Sequence, residues 1–185
     1  SPFSSLTGYV GDPVVNLTIM ALIVIGGLGF FVWGDMWDKR RFRRLSLHTK
    51  LVLVTTVLLL AAGTGLTLLF EWNNPATLGA LPAREKVLAA AFQSVTLRTA
   101  GFNTIDQAAL AGPTQALSCL LMMIGGSPGS TAGGIKTVSA AVLVLSAVSA
   151  LRGRTSVSAF GPSIRVPSIM NPVTMMIVGG TLSLA

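Results

Sequence analysis

The sequence has few charged residues. Only 10% of its 185 residues are charged, with 6 Asp+Glu against 13 Lys+Arg. A soluble domain carries about 25% charged residues, which let water solvate its surface. Apolar residues make up 51% of the chain, and its mean hydropathy is +0.73. This composition argues against a soluble globular enzyme and excludes a disordered chain.

Cysteine and histidine are nearly absent, since the chain has one of each. One cysteine excludes a disulfide framework and a cysteine-based zinc site, and one histidine excludes a multi-histidine metal site. The long apolar segments also contain no acidic residue that could act beside a nucleophile. We therefore expect that the protein is not an enzyme and holds no bound cofactor or structural metal.

Long uncharged segments are abundant. A membrane-spanning helix needs about 20 apolar residues, because the hydrocarbon core is about 30 Å thick. Four segments meet or approach that requirement: residues 14–33, 51–70, 107–151 (where Lys136 is the sole charge) and 166–185. Four such segments leave little polar chain to face water. The sequence therefore predicts an all-α, multi-pass membrane protein.

The basic residues occur in alternate linkers. Residues 35–50 hold six basic and two acidic residues, residues 71–106 hold three of each, and residues 152–165 hold three basic residues only. The positive-inside rule then predicts that the first and third linkers are cytoplasmic and the middle segment is external. A nucleic-acid surface is disfavoured, because the basic cluster adjoins a span and has only Phe42 as an interleaved aromatic residue.

Two further segments indicate a pore and a gate. Residues 84–97 are typical of a helix of 14 residues, too short to span, so we expect a re-entrant or interfacial helix. Residues 96–104 after it have neither helical nor strand periodicity. The 45-residue apolar stretch 107–151 is interrupted at 125–134 by five glycines and one proline. Broken backbone at membrane depth is tolerated only where protein buries it or where it lines a water-filled cavity.

A short internal repeat suggests how the chain is organised. Ile25-Gly26-Gly27 and Ile124-Gly125-Gly126 each follow an apolar run, 99 residues apart. This match suggests a repeating unit of helix, pore loop and helix. On that basis residues 51–152 form one complete unit. Residues 1–50 end the preceding unit, and residues 153–185 form a cytoplasmic linker and begin the next.

Two long motifs resemble a known family. Residues 94–106, Ser-Val-Thr-Leu-Arg-Thr-Ala-Gly-Phe-Asn-Thr-Ile-Asp, and residues 124–137 resemble the Trk/Ktr/HKT superfamily of potassium transporters. The nearest resemblance is to the integral membrane subunit of bacterial Ktr systems. Residues 8–13 and 25–30 also fit the end of the second repeat of that family, so the resemblance covers essentially the whole chain.

The resemblance implies a fold and site residues. Members have four membrane-pore-membrane repeats around one potassium pore, and residues 51–152 would be the third. Its selectivity filter would be Thr99, Ala100, Gly101, Phe102 and Asn103. Its intramembrane gating loop would comprise Gly125, Gly126, Ser127, Pro128, Gly129, Ser130, Thr131, Ala132, Gly133 and Gly134, together with Lys136. For Lys136 three roles stay open: repulsion of cations when the gate is closed, pairing with a carboxylate elsewhere in the full protein, or attachment of the loop to a neighbour.

The resemblance also implies substrate, partners and location. Potassium would be the transported ion, with sodium as an activator and no covalently bound cofactor. The intact protein would be a homodimer in the bacterial plasma membrane, in contact with lipid and with a cytoplasmic nucleotide-binding regulatory subunit, and it would not bind nucleic acid. We expect the chain to be part of a longer protein. The alternative is a non-conducting structural or truncated membrane subunit.

Overall fold

The fold is helical. The computed structural model describes residues 5–98, 100–151, 157–158 and 163–164. The six α-helices within these ranges are α1 (Pro13–Leu28), α2 (Phe30–Lys39), α3 (Leu47–Glu71), α4 (Ala83–Thr96), α5 (Gly112–Met123) and α6 (Thr137–Leu151). Short 3-10 turns lie at Thr7–Tyr9 and Phe42–Arg44, and two antiparallel strands of two residues each, β1 (Val157–Ser158) and β2 (Ser163–Ile164), follow α6. The predicted apolar segment 166–185 lies outside the described residues.

Helix α3 is long and apolar enough to cross a membrane. Its 25 residues rise about 37 Å, and they contain the predicted span 51–70. Ser46 caps the start of this helix, and its hydroxyl accepts a hydrogen bond from the Thr49 amide. Within the described ranges, the only other candidate span is the pair α1 and α2, which are apolar enough together but bent by 90°.

That bend corrects the prediction of one continuous span over residues 14–33. Helix α1 ends at Leu28, and Gly29 takes a φ of 82° that L-residues rarely adopt. A Cβ built on Gly29 would lie 2.8 Å from the Pro128 carbonyl oxygen. The sequence prediction missed the bend because the glycine-rich segment 125–134 packs against this point from far along the chain.

Helix α4 is the short helix predicted at residues 84–97. Its 14 residues pack more extensively on α3 than on any other described element. Close approach is possible because Gly63 of α3 faces the Ser94 side chain, which also donates a hydrogen bond to the Leu60 carbonyl at 3.0 Å. Phe92 is fully buried on the other side of α4, beside Met20 of α1. Helix α4 is thereby held between α1 and α3.

The apolar stretch 107–151 is broken as predicted. Helix α5 ends at Met123 and α6 begins at Thr137. Between them, Ile124 and Ile135 form a parallel bridge, with the Gly125 amide donating to the Ile135 carbonyl at 2.9 Å. A Cβ on Gly125 would collide with the Gly133 carbonyl, so the bridge needs glycine there. We call residues 125–134 the intramembrane loop.

Candidate ion pathway

The predicted filter, residues 99–103, follows the end of α4, and we call these residues the filter segment. The Ala100 amide donates to the Thr96 carbonyl at 3.1 Å, and the chain then turns at Gly101. Gly101 has a φ of 82°, yet nothing lies within 4 Å of a Cβ built on it. Backbone conformation, rather than lack of space, therefore requires glycine at this position. Thr99 lies outside the described residues.

The carbonyls of this segment fall into two groups. The Phe102 carbonyl accepts a hydrogen bond from the Thr96 hydroxyl at 2.6 Å, and the Asn103 carbonyl accepts one from the Leu6 amide at 2.9 Å. Among the described residues, no hydrogen bond reaches the carbonyl oxygen of Ala100 or Gly101. A backbone carbonyl that accepts no hydrogen bond within the protein needs another polar partner, such as water or a cation.

The direction of α4 favours a cation at this point. The helix runs toward the filter segment, so its C-terminal end, which carries a partial negative charge, lies next to Ala100. Leu97 ends the helix with its amide donating to the Gln93 carbonyl at 3.2 Å. The C-terminal end of α4 therefore lies close in sequence to the Ala100 and Gly101 carbonyls, with the buried side chain of Arg98 between them in the chain.

Two cavities flank the filter segment. One, of about 390 Å³, is lined by Gly101, Asn103, Gln107 and Met122 among others. The other, of about 280 Å³, lies between α1, the filter segment and the intramembrane loop, with Gly26, Ala100 and Thr131 in its lining. The side chains of Ala100 and Phe102 belong to both linings. The filter segment thus separates two spaces, one of which the intramembrane loop borders.

The intramembrane loop is bonded within itself. The Ser130 amide donates to the Ser127 carbonyl at 3.1 Å, and the Ser130 hydroxyl accepts from the Ala132 amide at 3.3 Å. The Lys136 ammonium donates to the Ala132 carbonyl at 3.0 Å. This bond joins Lys136 to the loop itself rather than to a neighbouring element, so the three roles proposed for Lys136 stay open.

The loop also docks on the bend between α1 and α2. The Ser127 amide donates to the Gly27 carbonyl at 3.0 Å, and the Phe30 amide donates to the Gly129 carbonyl at 3.1 Å. The approach is backbone to backbone, since a Cβ on Gly126 would lie 2.9 Å from the Gly27 oxygen. The two Ile-Gly-Gly sequences thus mark two helix breaks that pack together. Their similarity was visible in the sequence, but the contact between them was not.

Sequence reasoning missed a buried carboxylate at the end of α3. Glu71 is fully buried, and its two carboxylate oxygens accept hydrogen bonds from four groups. The donors are the Asn74 and Thr77 side chains, the Ala111 amide and the Thr114 hydroxyl. This network fixes the start of α5 against the end of α3, and it therefore anchors the chain that leaves the filter segment. No sequence motif indicated this network around Glu71.

We expect Glu71→Gln to destabilise the protein. An amide has one acceptor oxygen, so its NH₂ group would face donors that now bind a carboxylate, at a cost of about 2 to 4 kcal/mol. The measurement is the apparent melting temperature of the purified full-length protein in detergent. Asp38→Asn, which removes the same charge from an exposed residue of α2, is the control. Equal melting temperatures for the two variants would contradict the anchoring role.

The chain matches a family of known transporters. A family model described as a cation transport protein, TrkH, matches residues 2–183. The Ktr system potassium uptake protein B of Bacillus subtilis is 42% identical over 173 residues, which are 94% of this chain and 39% of that protein. The protein of the same name from Vibrio alginolyticus is 38% identical over 180 residues, 96% of this chain and 40% of that protein. The potassium/sodium uptake protein NtpJ of Enterococcus hirae is 39% identical over 168 residues, 91% of this chain and 37% of that protein.

A solved structure shares the fold. The potassium transporter TrkH from Vibrio parahaemolyticus superposes with a TM-score of 0.72 at 21% identity, over 97% of this chain and 39% of that one. The chain therefore spans about two fifths of the length of the relatives it matches. The expected fold class, an α-helical membrane protein with pore-helix repeats, is confirmed by this likeness. With the family match over residues 2–183, these findings show that the chain belongs to the TrkH family of cation transport proteins.

Proposed function

We propose that the chain forms part of the potassium-conducting pore of a Trk/Ktr-type uptake system. The observation that carries the proposal is the pair of carbonyls, Ala100 and Gly101, that receive no hydrogen bond from the described residues and lie just beyond the C-terminal end of α4. A potassium ion leaving water needs oxygen ligands, and backbone carbonyls supply them without adding net charge. The potassium uptake named for the Ktr and TrkH relatives supports the same ion for this chain.

One filter segment supplies only part of an ion site. Ala100 and Gly101, with Thr99, would contribute one side of a ring of carbonyls, and three further repeats would complete it. The Phe102 and Asn103 carbonyls already accept hydrogen bonds inside the protein, so they act mainly as supports for the ring. In this proposal residues 51–152 are one of four repeats, and residues 1–50 end the repeat before it.

The intramembrane loop is the proposed gate. It borders the cavity next to the filter segment, and its glycine-rich backbone can move with little steric cost. Docking on the α1–α2 bend would hold the loop in the obstructing position. Lys136, which donates to the Ala132 carbonyl, would stabilise the shape of the loop as it moves.

Gly29→Ala tests the docking. The added Cβ meets the Pro128 carbonyl and forces an unfavourable φ, so it should weaken the contact that holds the loop. In the full-length protein we expect the maximal rate of potassium uptake to rise about twofold or more, with an unchanged KM, because the filter is untouched. Gly34→Ala on α2, where nothing lies within 4 Å of the new Cβ, is the matched control. A maximal rate equal to that of the control would argue against docking as a restraint.

Partners and location belong to the same proposal. The basic residues within 39–44 support a cytoplasmic side for the α2–α3 linker, in a protein that we propose lies in a bacterial plasma membrane. A homodimer and a cytoplasmic nucleotide-binding subunit are proposed for the intact protein, in line with the word "system" in the names of the Ktr relatives. Sodium is proposed as an activator, and the potassium/sodium uptake named for the Enterococcus hirae relative supports only that sodium acts on such a protein.

The experiment is uptake in cells. The full-length protein, with and without its regulatory subunit, is produced in a bacterium that lacks its own potassium uptake systems, and growth and rubidium uptake are followed at low potassium. Growth that depends on the protein supports the proposal. Correct membrane insertion without rubidium uptake in either case would favour the non-conducting structural subunit instead.

A further inference from the structure

Two glutamine side chains form a closed pair across the filter segment. Gln93 of α4 donates from Nε2 to Oε1 of Gln107 at 2.8 Å, and Gln107 donates from Nε2 to Oε1 of Gln93 at 2.9 Å. Nε2 of Gln107 also donates to the Ile105 carbonyl oxygen, at 3.3 Å. Gln93 is fully buried, in a helix whose neighbouring positions Phe92 and Val95 are apolar core. A buried amide is costly unless it is paired, so this position is built for the pair.

The two glutamines lie on either side of the filter segment in the chain, so their hydrogen bonds restrain its ends. Gln93 precedes the end of α4 by one turn, and Gln107 lies four residues beyond Asn103. The pair therefore closes a loop of chain that contains the whole predicted filter. Within that loop the Thr96 hydroxyl makes a second connection, to the Phe102 carbonyl. The Ala100 and Gly101 carbonyls, which receive no hydrogen bond from the described residues, lie between these supports.

We infer that the Gln93–Gln107 pair is a positioning element that sets ion selectivity. This inference rests on the proposed function. Carbonyls select potassium only if the surrounding structure keeps them from closing onto the smaller sodium ion, or keeps their number and direction constant. The pair resists both changes. Any narrowing or widening of segment 93–107 must stretch the two reciprocal hydrogen bonds, which buried Gln93 makes with Gln107.

The test is a set of methionine variants in the full-length protein. Methionine has nearly the length and volume of glutamine but forms neither hydrogen bond. We expect Gln93→Met to lower the ratio of sodium KM to potassium KM about tenfold, with protein levels in the membrane unchanged. Gln107→Met, at an exposed position, should give a similar loss. Gln115→Met is the control, since that exposed glutamine bonds only the Leu110 carbonyl, outside the loop.

The double variant separates a pair from two independent residues. If the two amides act as one unit, Gln93→Met with Gln107→Met should lower the ratio no further than either single change. A merely structural role would reduce uptake of both ions and leave the ratio as it was. An unchanged ratio in Gln107→Met, or losses that multiply in the double variant, would overturn the inference.

Gly101→Ser in the same assay distinguishes this inference from the proposed function. If Gly101→Ser collapses selectivity and the glutamine variants do not, the role of the pair is wrong and the filter proposal stands. If Gly101→Ser has no effect on selectivity either, the assignment of the filter itself fails, and the inference fails with it.

Discussion

Gly101→Ser is expected to lower the selectivity for potassium over sodium about a hundredfold in the full-length protein. The φ of 82° at Gly101 is strained for serine by about 1 to 2 kcal/mol, and the simplest relief is a rotation of the adjoining peptides. That rotation turns the Ala100 and Gly101 carbonyls, which are the proposed ligands. Because the carbonyls of a filter replace the hydration shell of the ion, a small rotation weakens the ion site.

The measurement is rubidium uptake in competition with sodium and with potassium. Gly112→Ser is the matched control, because that glycine lies at the start of α5 with open space around it and has no positive φ. The control should keep wild-type selectivity. A Gly101→Ser protein that reaches the membrane and discriminates the two ions as well as the control would show that Gly101 lies outside the filter.

Shortening the intramembrane loop should have the second large effect. Deletion of residues 127–131 removes both hydrogen bonds to the α1–α2 bend, those made by the Ser127 amide and the Gly129 carbonyl. The bridge between Ile124 and Ile135 is spared, so α5 and α6 should still be joined in their present arrangement. We expect the maximal rate of potassium uptake to rise about tenfold and to depend less on the regulatory subunit.

The control for the deletion is a change outside the docked contact. Gly34→Ala on α2, where nothing lies within 4 Å of the new Cβ, changes a residue outside the loop and leaves the support of the filter segment by Leu6 intact. An unaltered or lower maximal rate in the loop deletion, at normal membrane levels, would contradict the gating role.

Local patterns in the sequence were sufficient to predict most helices. The uncharged run 51–70 predicted α3, because length and hydropathy are properties of the segment itself. Residues 84–97 predicted α4 to within one residue at each end. The glycines and proline of 125–134 predicted the break between α5 and α6 for the same reason, since they disfavour a helix wherever they occur.

Features that depend on distant contacts could not be predicted in the same way. The α1–α2 bend at Gly29 requires the intramembrane loop, which lies a hundred residues away in the chain. A single glycine in an apolar run is compatible with an uninterrupted helix, so the pattern favoured one span. In the structure the Pro128 carbonyl occupies the space that a Cβ at position 29 would need, and the sequence pattern carries no sign of this contact.

The candidate site was predicted in outline from the resemblance and refined by the structure. The motif around Gly101 indicated five residues, but it could not indicate that the Phe102 and Asn103 carbonyls are engaged inside the protein. The partners that hold the segment, Gln93, Gln107 and Glu71, were missed. Gln93 and Glu71 are buried and Gln107 is exposed, and the role of each depends on a hydrogen-bond partner that is distant in sequence, 14 residues away in the glutamine pair and up to 43 for the carboxylate.

The most direct test of potassium conduction is ion flux with purified components. The full-length protein, together with its regulatory subunit, is reconstituted in liposomes that contain potassium, and efflux is followed with a voltage-driven fluorescent dye against empty liposomes. We expect potassium efflux that is well above the background and about a hundredfold faster than sodium efflux under the same gradient. Equal efflux of the two ions, or none above empty liposomes from correctly inserted protein, would contradict potassium conduction by this pore.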